Sequence, residues 1–272
     1  MKASSKLLER AAFALRMQHF AEAVQLASEV LKTNRTDLAA TTILAQALIA
    51  QRREVDAIAP LEKAARRSND PGVETLLGAA LGGAGRRAEA IELLHRTTTR
   101  SPPFFPAFQE LAGQFARAGR FEEAVAVIER ALGLAPQSID LQLDLGRLHL
   151  QRNDRGKARA VLEKAIEAAP GRPDLLTTLA RLLLLDGEYA VAADTYRRAL
   201  DLRPDDAMAR AELAACLLEM GEREAGETSL RAALRGRPQM LGRAITGLAV
   251  SSHGRFFFRP SAATKFLQGE GR

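Results

Sequence analysis

Tryptophan is absent from this chain of 272 residues, cysteine occurs once, at Cys216, and only 5% of the residues are aromatic. A single thiol can close no disulfide within the chain and cannot furnish a cysteine-based zinc site, so neither device holds the fold together. The scarcity of aromatic residues, in a chain rich in Ala, Leu, Arg and Glu, fits long helices packed through small side chains. It argues against a β-sandwich or an α/β enzyme. No stretch approaches the roughly 18 uninterrupted apolar residues of a membrane span. At the N-terminus Glu9, Arg10 and Arg16 interrupt every apolar run, which leaves no signal-peptide core. The expectation is a cytoplasmic protein that is not an integral membrane protein.

Clusters able to carry chemistry are missing as well. The histidines His19, His95, His149 and His253 are isolated from one another, and no paired metal-ligand spacing such as HExxH occurs. The glycine-rich stretch GGAGRR at 82–87 has no strand before it, and a phosphate cradle needs a strand, a loop and a helix in that order. Cys216 lies inside an apolar helical stretch, where a buried inert thiol is expected rather than a nucleophile. No catalytic, cofactor-binding or metal-binding residue is therefore expected, and the chain is not read as an enzyme.

Charge is unevenly placed. The formal net charge is +6, and residues 241–272 carry Arg243, Arg255, Arg259, Lys265 and Arg272 against Glu270 alone. Most of the basic excess belongs to this end, and the rest of the chain is a mixed-charge surface.

What the chain does have is a period. Small residues recur at Ala11, Ala45, Gly78, Ala112, Gly146, Ala180 and Ala214, and again at Ala23, Ala57, Ala90, Ala124, Ala158, Ala192 and Gly226. A third series runs Ala64, Thr97, Ala131, Ala165, Ala199 and Ala233, and prolines follow at Pro102, Pro136, Pro170, Pro204 and Pro238. Self-similarity at a fixed period of this length marks an array of small helical units, each burying its apolar face against the next. The small residues belong where two antiparallel helix backbones approach most closely. Gly85, Gly119, Gly187 and Gly221 fall at the turn between the helices, where glycine adopts a left-handed backbone without steric cost.

In the unit ending at Pro136, residues Phe108, Leu111, Ala112, Phe115, Gly119, Ala124, Ile128, Ala131 and Pro136 follow the aromatic, leucine, small, aromatic, glycine, alanine, bulky, alanine and proline order of the tetratricopeptide repeat family. The chain resembles that family over seven units, 4–37, 38–70, 71–104, 105–138, 139–172, 173–206 and 207–240. A capping helix is expected at 241–251, so that 1–251 forms the repeat domain and 252–272 a basic aromatic tail. The fold expected from the resemblance is an all-α, right-handed superhelical solenoid. Unit three, with Gly72, Gly78, Gly82, Gly83 and Gly85, is either a flexible point or a place of tight helix packing.

The resemblance also implies a concave surface lined by the first helix of each pair. Its ligand-facing positions carry over to Thr42, Gln46 and Ile49, to Thr75, Ala79 and Gly82, and to Gln109, Gly113 and Arg117. They continue at Leu143, Arg147 and Leu150, at Thr177, Arg181 and Leu184, and at Ala211, Ala215 and Leu218. Apolar positions beside a row of arginines suit a protein or peptide carrying apolar and acidic residues, since the guanidinium fork matches a carboxylate. The lysine and asparagine clamp of the family's chaperone-tail binders is missing, with Thr75, Gln109 and Thr177 where lysine would stand.

The tail holds Phe256, Phe257, Phe258 and Arg259. It either packs back on the last repeats, or binds a partner or a second copy of the chain, or meets nucleic acid or an anionic membrane. Without a sustained basic stripe, nucleic acid is not the expected partner. The function expected is a non-enzymatic protein-protein interaction scaffold or adaptor. The alternatives are a recruiting module for a separate enzyme such as a sulfotransferase or glycosyltransferase, and a binder of nucleic acid or membrane surface through the tail.

Overall fold

A computed structural model describes residues 2–257 and 259–269, and among these it contains sixteen α-helices, one 3-10 turn and no strand. Fourteen helices form seven successive hairpins. They are α1 (Lys2–Arg16) with α2 (Phe20–Thr33), α3 (Leu38–Ala50) with α4 (Glu54–Ser68), α5 (Pro71–Gly83) with α6 (Arg87–Thr98) and α7 (Phe105–Arg117) with α8 (Phe121–Leu134). Next come α9 (Ile139–Gln151) with α10 (Arg155–Ala168), α11 (Pro173–Leu185) with α12 (Tyr189–Leu202) and α13 (Ala207–Glu219) with α14 (Arg223–Leu234). A 3-10 turn at Pro238–Met240 leads to α15 (Leu241–Val250), and α16 (Pro260–Gln268) ends the described chain. Two compact units result, Met1–Leu141 and Gln142–Arg272.

Every hairpin turns in the same way. The second residue after the first helix takes a left-handed backbone at Gln18, Arg52, Gly85, Gly119, Asn153, Gly187 and Gly221, with φ between 59° and 86°. The next amide then reaches back to close the helix end, as in His19 N–H to Ala14 O, Arg86 N–H to Leu81 O and Glu222 N–H to Leu217 O, at 2.8–2.9 Å. This is the usual way to satisfy the last carbonyls of a helix. Glycine takes the conformation at four turns. Gln18 and Arg52 hold it against a steric cost of roughly 1–2 kcal/mol for a side chain with a Cβ.

The small-residue ladders are the closest approach of each pair. A Cβ placed on Gly78 would stand 2.6–2.8 Å from three side-chain atoms of Leu94, and one on Gly146 would stand 2.7 Å from Leu162. At the same second-helix register Leu61, Ile128, Tyr196 and Leu230 are all buried. Gly226 reverses the arrangement, since there the small residue is on the second helix and Leu218 leans against it from the first.

Gly78, Gly82 and Gly83 of unit three are packed. A Cβ on Gly82 would lie 2.0 Å from the Gln114 side chain, and one on Gly83 would lie 2.6 Å from Glu54. Close packing, not looseness, accounts for them. In the same N-terminal unit, Arg100 joins neighbouring hairpins by donating to Asn69 O at 2.6 Å and to the buried Glu74 at 2.6 Å, while Thr97 donates to the same carboxylate. Arg130 lies 5.1 Å above the Phe108 ring and donates to Thr98 Oγ1. A buried carboxylate needs such partners.

The last helices of the C-terminal unit fold onto its final hairpin. In α15, Ala244 and Leu248 are buried and Ala249 is exposed. Beyond it Arg223 donates to the carbonyls of His253 and Gly254, Ser252 donates to Glu219, and Arg255 pairs with the buried Glu227. Pro260 opens α16 at a position where no amide is needed, and Gly269, at φ +82°, ends it. Leu267 and Ala263 are buried, and Phe257 and Phe266 join the same apolar cluster with centroids 5.3 Å apart. Arg231 and Arg255 stack over Phe266 at 4.7 and 4.9 Å. Phe256 is 71% exposed, Arg259 is exposed at the start of α16, and Phe258 lies outside the described residues.

Two outcomes follow from this packing. Gly146→Ala crowds Leu162 and is expected to destabilise the chain by about 1 kcal/mol net, the overpacking cost exceeding the gain in helix propensity. Gly133→Ala, with nothing within 4 Å of the added atom, is expected to be neutral or stabilising by roughly 0.5 kcal/mol. Urea unfolding of the two variants reads the difference, and equal effects would mean the Gly146 contact is slack. Removal of 253–272 takes away Phe257, Phe266 and Leu267, uncovers Leu248, and is expected to lower the melting temperature by about 5–10 °C with little loss of helicity. An unchanged melting temperature would show that α16 contributes nothing to the final hairpin.

Candidate partner-binding groove

In the C-terminal unit the first helices α9, α11 and α13 stand side by side and leave a hollow of about 430 Å³ between them. Its lining joins Arg147 and Leu150 from α9 to Thr177 and Arg181 from α11, about one turn apart on each helix, so that they share a face. Met208, Ala209 and Glu212 from α13 complete that side, and Tyr196 from α12 forms part of the lining behind them. The acidic groups present are already engaged. Asp206 accepts from Ala209 N at 2.9 Å as the helix cap, and Glu212 pairs with Arg243 at 2.8 Å. Arg147 is half-exposed and 3.9 Å from Asp144, and Arg181 is exposed with no ion-pair partner among the described residues. The hollow therefore offers apolar wall and positive charge that is loosely paired at Arg147 and, among the described residues, without an ion pair at Arg181.

Tyr196 adds a polar demand that composition does not reveal. Its side chain is 1% exposed and its hydroxyl makes no hydrogen bond among the described residues. Burial, reinforced by the nearby Glu212 carboxylate, pushes its phenol well above the ordinary range, so the hydroxyl keeps its proton. An unmet buried hydroxyl costs roughly 1–3 kcal/mol, and a bound group that reaches it as the lining side chains shift would recover part of that amount.

The structure brings together four of the eight expected groove residues, Arg147, Leu150, Thr177 and Arg181. Leu143 is only 3% exposed and is packed inside. Leu184 is half-buried and packs with the cluster around Ala180, Leu183 and Leu217. Gln109 and Arg117 belong to α7 in the N-terminal unit, where Gln109 is half-buried and Arg117 is paired with Glu110 at 2.5 Å. Of the other positions carried over, Gly82, Ala211 and Leu218 are buried. Sequence reasoning missed Tyr196, whose register holds Leu or Ile in the neighbouring hairpins. A phenol at a position otherwise purely aliphatic was the available signal.

Cys216 is fully buried in α13, and desolvation, with Glu212 nearby, pushes its thiol up to about 12. It stays protonated and unreactive at neutral pH. His149 is buried at the end of α9, 4.0 Å from Asp154. Among the described residues no group of three or more His, Cys, Asp or Glu side chains could hold a metal ion, and no helix is long and apolar enough to cross a membrane.

Comparison with known proteins fits this geometry. Two family models described as tetratricopeptide repeat match, one over residues 115–182 and the other over 8–72 and 75–139. A model described as anaphase-promoting complex, cyclosome, subunit 3 matches 151–233. No curated protein matches the chain. Among solved structures, a tetratricopeptide repeat protein from Parabacteroides merdae ATCC 43184 is 13% identical, with a TM-score of 0.67 over 91% of this chain and 99% of that one. The APC/C hetero-tetramer Cut9-Hcn1 contains a chain 17% identical, with a TM-score of 0.59 over 98% of this chain; the match spans only 55% of that chain. A crystal structure of MamA is 17% identical with a TM-score of 0.52, covering 61% of this chain and 97% of that one. At such identities these structures establish the fold and nothing finer. With the two repeat models together matching more than half of its length, the chain belongs to the tetratricopeptide repeat family.

Proposed function

We propose that this chain is a non-enzymatic protein-interaction scaffold that holds a segment of another protein against the first helices of its C-terminal unit. The observation that carries this reading is the hollow whose lining joins Arg147 and Arg181, neither closely paired, to Leu150 and to Tyr196 with its unmet hydroxyl. A segment with an apolar anchor and a carboxylate satisfies all three. The anchor covers the leucine, the carboxylate accepts from the guanidinium groups, and a carbonyl or carboxylate oxygen accepts from the tyrosine. Similarity to a chain of the Cut9-Hcn1 hetero-tetramer, and to the model named for a subunit of the anaphase-promoting complex, is consistent with service in a multiprotein assembly.

Affinity capture from a cell extract, read by mass spectrometry, tests the site. Arg147→Glu combined with Arg181→Glu is expected to reduce retention of the bound protein at least tenfold, with the circular dichroism of the chain unchanged. An identical set of proteins on the double variant would remove the groove assignment. Tyr196→Phe deletes the unmet hydroxyl and is expected to keep or slightly raise stability while weakening capture several-fold. Undiminished capture would show that the hydroxyl faces no ligand.

A further inference from the structure

The N-terminal unit contains a hollow that the groove reading does not use. It measures about 540 Å³ and lies between the end of α2, the start of α3 and the middle of α4. The expected ligand-facing positions of α3, which are Thr42, Gln46 and Ile49, do not line it. Its walls are Leu31, Leu38, Ala59, Pro60 and Ala64, and its rim carries Arg35, Lys63 and Arg67.

The repeat register explains why there is space. Thr41 stands in the hollow wall at a position that the next units fill with larger side chains, Glu74 with its bonds to Thr97 and Arg100, and then Phe108, which is 1% exposed. Pro60 takes the register held by Leu93 and Val127 in the two following second helices. It is inside α4, where it removes an amide that a helix would use. Two bulky side chains that close this place elsewhere are thus a threonine and a proline here, and the cavity is what they leave.

The rim gives the hollow a chemical preference. Arg35 and Arg67 are exposed, as is Lys63, and none of the three has an ion-pair partner among the described residues. No carboxylate lines the hollow, and Asp37, two residues along the loop from Arg35, is engaged as the cap of α3. Lys63 and Arg67 are one turn apart on α4, about 6 Å along its axis, and Arg35 approaches from the α2–α3 connection. Cations spread over two elements match a chain bearing several carboxylates better than a single anionic head. The volume and apolar walls suit large aliphatic or aromatic side chains.

We propose that this hollow is a second docking site, independent of the first-helix groove, for an acidic segment of a partner protein that inserts side chains of leucine or phenylalanine size. The test is a phage-displayed library of random twelve-residue peptides selected on the whole chain, with the recovered peptides synthesised and measured by fluorescence polarisation. The expected peptides are rich in Asp and Glu interspersed with Leu and Phe. Thr41→Phe, which copies the side chain at Phe108 and fills the hollow, is expected to weaken them at least tenfold. Lys63→Glu with Arg67→Glu, which alters only exposed side chains, is expected to do the same. Arg147→Glu with Arg181→Glu is expected to leave this binding unchanged, which separates it from the groove. The proposal is overturned if no peptide is retained, if the recovered peptides are basic, or if they bind both variants of the hollow as tightly as the parent chain. It is overturned equally if sedimentation shows the parent chain self-associating and the Lys63→Glu, Arg67→Glu variant monomeric, since the occupant would then be a second copy of the chain.

Discussion

Two helices can lie side by side only as closely as the side chains between them permit, and in this chain that distance is set at one small residue per helix in each hairpin. Gly78 against Leu94 and Gly146 against Leu162 show the constraint most plainly, because not even a methyl group fits between them. Where alanine replaces the glycine, the chain leaves that much more room. Packing at organic-crystal density makes such a contact nearly incompressible, so a hairpin either closes with the small residue or does not close. Because the contact is made of short-range pairs, it leaves the remaining faces of each helix open to sequence variation.

This division between constrained and unconstrained positions explains how much could be read in advance. The ladders are legible because a close approach accepts only Gly, Ala or an occasional Thr, and the same restriction recurs once per unit. Four of the seven turns were legible from glycine for a similar reason. Gln18, Arg52 and Asn153 take the same left-handed backbone without the residue that announces it, since the helix-end hydrogen bonds outweigh the local cost. The packing role of the unit-three glycines was only half legible. Gly82 reads as flexibility until Gln114 is seen lying across it.

The candidate site was legible in part for the opposite reason. Which side chains share a helix face follows from the helical period, so Arg147, Leu150, Thr177 and Arg181 could be grouped from the sequence. Which residues of a shared face a neighbouring element covers depends on tertiary packing, and here Leu143 is buried and Leu184 half-buried against the cluster around Leu183. Tyr196 illustrates a further limit. It occupies a core register, and only the absence of any partner for its hydroxyl distinguishes it from the leucines and isoleucine around the repeat. The tail, read three ways from composition, packs through Leu267, Phe257 and the stacked Phe266. The exposed Phe256 beside them remains on the surface.

Both proposed docking places arise where the repeat departs from itself. In one, a tyrosine replaces an aliphatic residue, and in the other, a threonine and a proline replace bulkier ones. The scaffold between them rests on the small-residue contacts, and the most direct test of that claim is a double-mutant cycle on Gly146→Ala and Leu162→Ala. The account predicts that the two changes are coupled, the smaller side chain at 162 relieving the crowding at 146 by about 1 kcal/mol in urea unfolding. Effects that simply add, to within roughly 0.3–0.5 kcal/mol, would mean that the two residues do not set the distance between their helices.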